Sequence, residues 1–171
     1  MSVIITRKKV KNIILRIDKE NNILISAPHS VPEKTIYDFI NSKKDWINAH
    51  LKLEGLYYLG EKTDKLPSDN EIKDFLSQRF YYICDQMQIN PVPTLDFKSR
   101  KNTYGFYTKQ SHKVTLKPEL IMAPLICIDF VIVHELCHIK HFNHSKEFHS
   151  ELKKYMPHYK DIQKVLSRYP I

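Results

Sequence analysis

Ile128-Asp129-Phe130-Val131-Ile132-Val133-His134-Glu135-Leu136-Cys137-His138 is the stretch on which the reading of this chain turns. Its early residues are apolar on nearly every side, the composition of a helix buried in a core. Pro124 can occupy the first helical turn, where its missing N–H costs nothing. Ile126, Phe130, Val133 and Cys137 then carry the helix to about His141. Residues four apart on a helix stand one above the other on the same face. His134 and His138 therefore converge, with ring nitrogens able to bind one Zn²⁺ at about 2.0–2.1 Å. Glu135 lies about 100° further round. From there it reaches a water beside the metal without being a ligand, as a general base must. Val133, Leu136 and Cys137 supply the apolar backing of such a site.

A catalytic zinc site commonly has three protein ligands and one open position. His141, His144, His149 and Glu151 follow the motif. On a continuing helix His141 stands two turns, about 10.5 Å, along the axis from His134, too far to share an ion. His144 lies past the expected break at Asn143, so the chain can turn back and deliver it. Glu151 is the alternative, in the manner of zinc peptidases with a downstream glutamate. Otherwise Glu151 and His149 are expected beside the site or on the surface of the last helix. Cys137 is expected to pack inward as a small apolar residue. The spacing H-E-x-x-H-x5-H matches that of metzincins, but His141 holds their glycine position and no Met-turn follows. His29, His50, His112 and His158 read as isolated surface residues.

Upstream, Asn12 to Ile17 and Asn22 to Ala27 are β-rich runs around a polar turn, and predict a hairpin. Ser30-Val31-Pro32-Glu33 has capping-box spacing and predicts a helix from about Pro32 to Leu53, ended by Gly55. Its apolar stripe is Ile36, Phe39, Ile40, Trp46, Ile47 and Leu51. Tyr57 to Leu59 reads as a short strand. A second capping box, Ser68-Asp69-Asn70-Glu71, opens a helix to about Met87 with the stripe Ile72, Phe75, Leu76, Phe80, Ile83 and Met87. Thr94 to Lys98 and Lys113 to Lys117 read as strands joined by a polar and aromatic stretch. Ser145 is the expected N-cap of a last helix reaching Tyr155 before Pro157. The expected fold is α+β, a small antiparallel or mixed sheet packed with helices, one of them a core helix carrying the zincin-like motif. No repeat or linker divides residues 1–171, so one domain is expected.

The 171 residues suffice for a core without staples, and 42% hydrophobic with 27% charged residues is ordinary for a soluble domain. No apolar run approaches a membrane span, and the N-terminal sequence has no signal-peptide stretch. Cys84, Cys127 and Cys137 form no C-x-x-C pair, which predicts free thiols and a cytoplasmic protein. The net charge of +8 and pI near 9.3 favour anionic partners. Its basic residues cluster weakly, at Arg7-Lys8-Lys9 with Lys11 and at Lys98 with Arg100-Lys101. At most weak, nonspecific nucleic-acid contact is expected from them.

The segment 128–138, with Asn143-His144-Ser145 and Phe148, closely resembles the YgjP-like metallopeptidase-domain family. Those are predicted metal-dependent hydrolases related to minimal gluzincin and SprT-like zinc peptidases. The resemblance extends to Ala27-Pro28, Lys43-Lys44-Asp45-Trp46-Ile47, Leu59-Gly60 and Leu120 to Pro124. It implies His134, His138 and His144 as ligands and Glu135 as base. Where the family has a motif of Arg-Trp-Gly-Ser-Cys type, this chain has Thr103-Tyr104-Gly105-Phe106-Tyr107. A tryptophan usual after the phenylalanine is here His149. The expected function is zinc-dependent hydrolysis of a peptide or small anionic substrate; Tyr104 and Tyr107 are either packing residues or, for one of them, a donor to the developing oxyanion. The alternatives are phosphoanhydride hydrolysis of a nucleotide on the same metal, or a repair-type protease associated with nucleic acid. Oligomeric state leaves no mark in the sequence.

Overall fold

The computed structural model describes residues 2–18, 20–44, 46–47, 51 and 56–169. They fall into two compact units, Met1–Leu53 and Glu54–Ile171.

In the first unit the predicted hairpin forms: β2 (Ile14–Ile17) lies antiparallel to β3 (Ile23–Ala27). A strand not anticipated, β1 (Val3–Arg7), joins the other edge of β3 in parallel, with Val3 opposite Ile23. Successive strand residues face opposite sides, so Ile23, Ile25 and Ala27 are buried on one face, in a cluster with Ile36 and Ile47. The turn is closed by Asp18, whose carboxylate accepts the Glu20 and Asn22 N–H groups.

The capping box at Ser30 does not form. Pro32 is itself the N-cap, with an extended ψ of 149° and no side-chain cap bond, so helical dihedrals begin only at Glu33 and Ser30 is left too far upstream. Helix α1 (Glu33–Ser42) ends where Lys43 leaves helical geometry. Helical bonding then resumes from Ile47 to the Lys43 carbonyl and from Leu51 to the Ile47 carbonyl. The predicted single helix is thus broken at Lys43, and Trp46, placed on its apolar stripe by sequence, is 42% exposed. Asp45, His50, Leu53 and the predicted stop at Gly55 lie outside the described residues.

In the second unit a hairpin of β4 (Leu56–Tyr58) and β5 (Glu61–Thr63) replaces the single predicted strand. Its turn places Gly60 at φ +88°, where an added Cβ would come within 2.7 Å of Pro124. Leu59 and Gly60 donate to the Ile121 and Met122 carbonyls. The hairpin thereby pins the 3-10 turn Pro118–Met122 that leads into the motif helix.

Helix α2 (Asp69–Gln86) opens on the predicted capping box: the Glu71 carboxylate accepts the Ser68 N–H at 2.8 Å, and the Ser68 hydroxyl accepts the Glu71 N–H. Its stripe buries Ile72, Leu76, Phe80 and Ile83, joined by Cys84. The two predicted strands appear as β6 (Thr94–Phe97) and β8 (Lys113–Leu116). A third, β7 (Gly105–Thr108), lies hidden in the intervening stretch. The order is β6-β8-β7, with β6 parallel and β7 antiparallel to β8, so the sheet is mixed and β7 is an edge.

Helix α3 (Leu125–Cys137) is buried from Cys127 through Val133. Its Asp129 receives a two-pronged ion pair from Arg79 of α2. Helix α4 (Lys146–Tyr155) starts at Ser145 as predicted, and α5 (Tyr159–Leu166) follows it unanticipated. The fold is α+β, as expected. All three cysteines are free and buried. No described helix is long and apolar enough to cross a membrane.

Candidate metal centre

His134 and Glu135 lie in the last turn of α3, and His138 is its C-cap. The helix stops about four residues earlier than its apolar run suggested. His138, Ile139 and Lys140 each donate to the carbonyl three residues back, which tightens the chain out of the α-helix. The His141 carbonyl accepts from His138 Nδ1 at 2.9 Å. This turn returns the chain, and His144 comes to lie opposite the two helical histidines.

One ligating nitrogen from each of His134, His138 and His144 falls within 4.8 Å of the others. The Nε2 atoms of His134 and His144 are 3.0 Å apart. Beneath them Phe148, wholly buried on α4, packs at 4.7–4.9 Å between centroids against all three rings. The Ser145 cap fixes this floor, because its hydroxyl accepts the Phe148 N–H. The motif spacing assigns Phe148 no role, although its four-residue distance from the buried Leu152 marks an inward face.

The electrostatics favour neutral imidazoles at His134 and His138. Burial, reinforced by His138, His144 and His149, pushes His134 down to about 3. Burial also lowers His138, against the His141 carbonyl. Glu135 is 6% exposed; burial pushes it up to about 7, against a hydrogen bond from the Tyr107 backbone. That bond ties the carboxylate to edge strand β7, a link invisible in residue identities because the backbone makes it.

Glu151 does not join the histidines. Its carboxylate accepts from Lys140 at 3.1 Å and from Lys154 at 2.5 Å. Cys137 packs inward as expected. His112, in sequence an isolated surface residue, is instead engaged on both nitrogens, by the Tyr107 hydroxyl at 2.8 Å and the Pro91 carbonyl at 2.9 Å. The engagement occupies the Tyr107 hydroxyl. Burial raises Tyr104, which lines the same cleft. That cleft, about 730 Å³, runs between β7 and the histidines, with His149 and Tyr159 on its far wall. There the two rings stack at 5.8 Å and the Tyr159 hydroxyl meets His149 Nδ1 at 3.2 Å.

A helix end thus brings two histidines and a buried glutamate to a third histidine, a group that could hold a metal ion. The chain belongs to the YgjP-like, metallopeptidase domain family, whose model matches residues 11–55 and 61–169. Membership supports a metal-dependent, peptidase-like activity and names no substrate. Among solved structures, the chain is similar to the metallopeptidase zymogen jannalysin of Methanocaldococcus jannaschii. That match has 22% identity and a TM-score of 0.47, over 52% of this chain and 89% of that one. It is also similar to the zymogen abylysin of Pyrococcus abyssi, with 19% identity and a TM-score of 0.40, over 56% of this chain and 88% of that one. No curated protein matches the chain.

Proposed function

We propose that this chain is a zinc-dependent peptide hydrolase in which His134, His138 and His144 hold the metal and Glu135 is the general base. The observation that carries the reading is the convergence of three imidazoles beside a buried carboxylate to which, among the described residues, no cationic side chain is bonded.

The donor set suits zinc. Three imidazoles are borderline ligands of the kind that ion takes. The bond from His138 Nδ1 to the His141 carbonyl fixes the tautomer that leaves Nε2 free to ligate. When bound, zinc would supply Lewis acidity, polarising a substrate carbonyl and acidifying a neighbouring water. Glu135 accepts the proton of the attacking water and returns it to the leaving amine. The Tyr107 backbone holds that carboxylate in place. Tyr104 serves as oxyanion donor, since the Tyr107 hydroxyl is engaged by His112. Edge strand β7 along the cleft offers backbone groups to an extended peptide, which favours a peptide over a small anion. The family model covers parts of both compact units, and on that ground both are assigned to one functional domain.

The test is metal content joined to cleavage. Purified protein should carry about one zinc per chain, and His134→Ala or His138→Ala should remove most of it. Zinc-loaded protein should cut members of a mixed peptide library. Full zinc retention in both variants, or an uncut library, overturns the proposal.

A further inference from the structure

Beyond His149 the catalytic cleft does not end. A second hollow of about 700 Å³ opens between the starts of α4 and α5, and it shares His149, Tyr159 and Gln163 with the cleft. Its rim carries Lys146, Lys160 and Lys164. Lys164 is paired with Asp161 at 3.0 Å, whereas Lys146 and Lys160 make no ion pair among the described residues. Both lie in the first turn of a helix, where a positive charge opposes the macrodipole and works against stability. Lysines 160 and 164 stand four apart on one face of α5. Adjacent to this hollow, Asp161 is the one carboxylate on the wall among the described residues. The charges of Lys146 and Lys160 thus stand where they do not help the fold, beside the place where a substrate would be cut.

We propose that this hollow is a substrate subsite that receives acidic side chains, so that the enzyme prefers peptides bearing Asp or Glu on one side of the scissile bond. The inference rests on the peptidase reading and adds its substrate class. Exposed lysines around a recess that is continuous with a cleft complement carboxylates by charge and steer them. A nucleic acid fits the same charge less well. Single strands bind by stacking bases on aromatic faces, and the tyrosine on the rim, Tyr159, is already stacked on His149 at an interplanar angle of 14°.

The experiment has a cleavage arm and a binding arm. In the first, zinc-loaded protein is given fluorogenic peptides of one core sequence, flanked by two glutamates, two glutamines or two lysines on either side. On one side only, glutamate should exceed glutamine by roughly three- to tenfold in kcat/KM at low salt, and the gain should shrink as salt rises. Lys146→Gln/Lys160→Gln should bring that ratio close to unity. Lys73→Gln/Lys98→Gln removes the same charge from positions outside the hollow and should keep the ratio.

In the second arm, metal-free protein is titrated with the labelled glutamate peptide, its glutamine counterpart and a single-stranded oligonucleotide. The glutamate peptide should bind more tightly than both, through Lys146 and Lys160. Equal affinity for the two peptides, a preference that survives the double variant, or a stronger lysine-dependent affinity for the oligonucleotide each overturns the subsite. If no peptide is cut while the binding preference persists, the peptidase reading fails and the hollow stands. If peptides are cut without preference, the subsite fails and the peptidase reading stands.

Discussion

Glu135 on α3 and Glu151 on α4 are the same residue type at almost the same burial, 6% and 7% exposed, yet their surroundings drive them in opposite directions. Around Glu135 burial dominates and pushes its carboxyl up to about 7, against a single backbone hydrogen bond from Tyr107. Around Glu151 two lysines close in, Lys154 first and then Lys140, and hold its carboxyl below the usual range. A buried carboxylate without a cation is expensive, and a fold that needs only stability pairs it or replaces it. Glu151 is paired and braces the turn after α3, through Lys140, to α4. Glu135 has the Tyr107 backbone and, among the described residues, no lysine or arginine, so its burial is only partly offset.

The largest difference should appear in catalysis. Glu135→Gln keeps the shape and polarity of the side chain and removes its basicity. It should leave the zinc content intact and cut hydrolysis by about 10²–10⁴-fold, the usual contribution of a positioned acid–base group. Glu151→Gln should leave cleavage and zinc near their original levels. Zinc lost with Glu135→Gln alone would make that residue a ligand, and loss with Glu151→Gln alone would restore the downstream-glutamate alternative.

A smaller effect concerns stability without metal. In chelator, the Glu135 carboxyl holds its proton in the folded state up to about pH 7, whereas the unfolded chain releases it near the ordinary 4.5. Between those values the folded state binds more protons, so stability is fully present below about pH 4.5 and declines as pH rises to 7. The interval corresponds to roughly 3 kcal/mol. Urea unfolding at pH 5 and pH 8 should show Glu135→Gln gaining about that much on the original chain at the higher pH. Parallel profiles would mean that the carboxylate is solvated or paired after all.

The contrast between the two glutamates is only half legible in the sequence. Helical period places His134, His138 and Glu135, because a four-residue spacing on an apolar helix leaves little freedom. His144 is within reach once a turn is expected, although the turn comes at His138, through three-residue bonding, and not at Asn143. The pairing of Glu151 is beyond sequence reasoning, since it depends on how that turn aims Lys140. Strand β7 is hidden for a similar reason. Four residues beginning with Gly105 show no alternation, and the strand exists because β8 pairs with it. Strand β1 pairs directly and in parallel with β3, which follows it only after β2 in the sequence, and no local pattern announces that pairing. The lysines of the basic hollow, 146, 160 and 164, are spread along the chain, so the clusters visible in sequence lie elsewhere.

The smallest predicted effect tests the structural half of the comparison. Glu151 is ionised at neutral pH and accepts from two lysines whose side chains are 58% and 65% exposed. Water can take over much of what those lysines lose, so each pair contributes modestly. Glutamine at 151 can still accept one hydrogen bond and fills the same space. Glu151→Gln should therefore cost about 1 kcal/mol at pH 7. Because the folded-state pKa lies below the ordinary 4.5, the contribution is present above pH 4.5 and disappears as pH falls through the folded value. The unfolding midpoints of the two proteins should thus converge in acid, the opposite trend to that of Glu135→Gln, whose advantage appears only as pH rises. Opposite slopes from one substitution at two equally buried sites would establish that the neighbours, and not burial, set the role of each carboxylate. A difference at position 151 that persists unchanged to pH 3 would instead mean that packing, and not charge, is what the residue contributes.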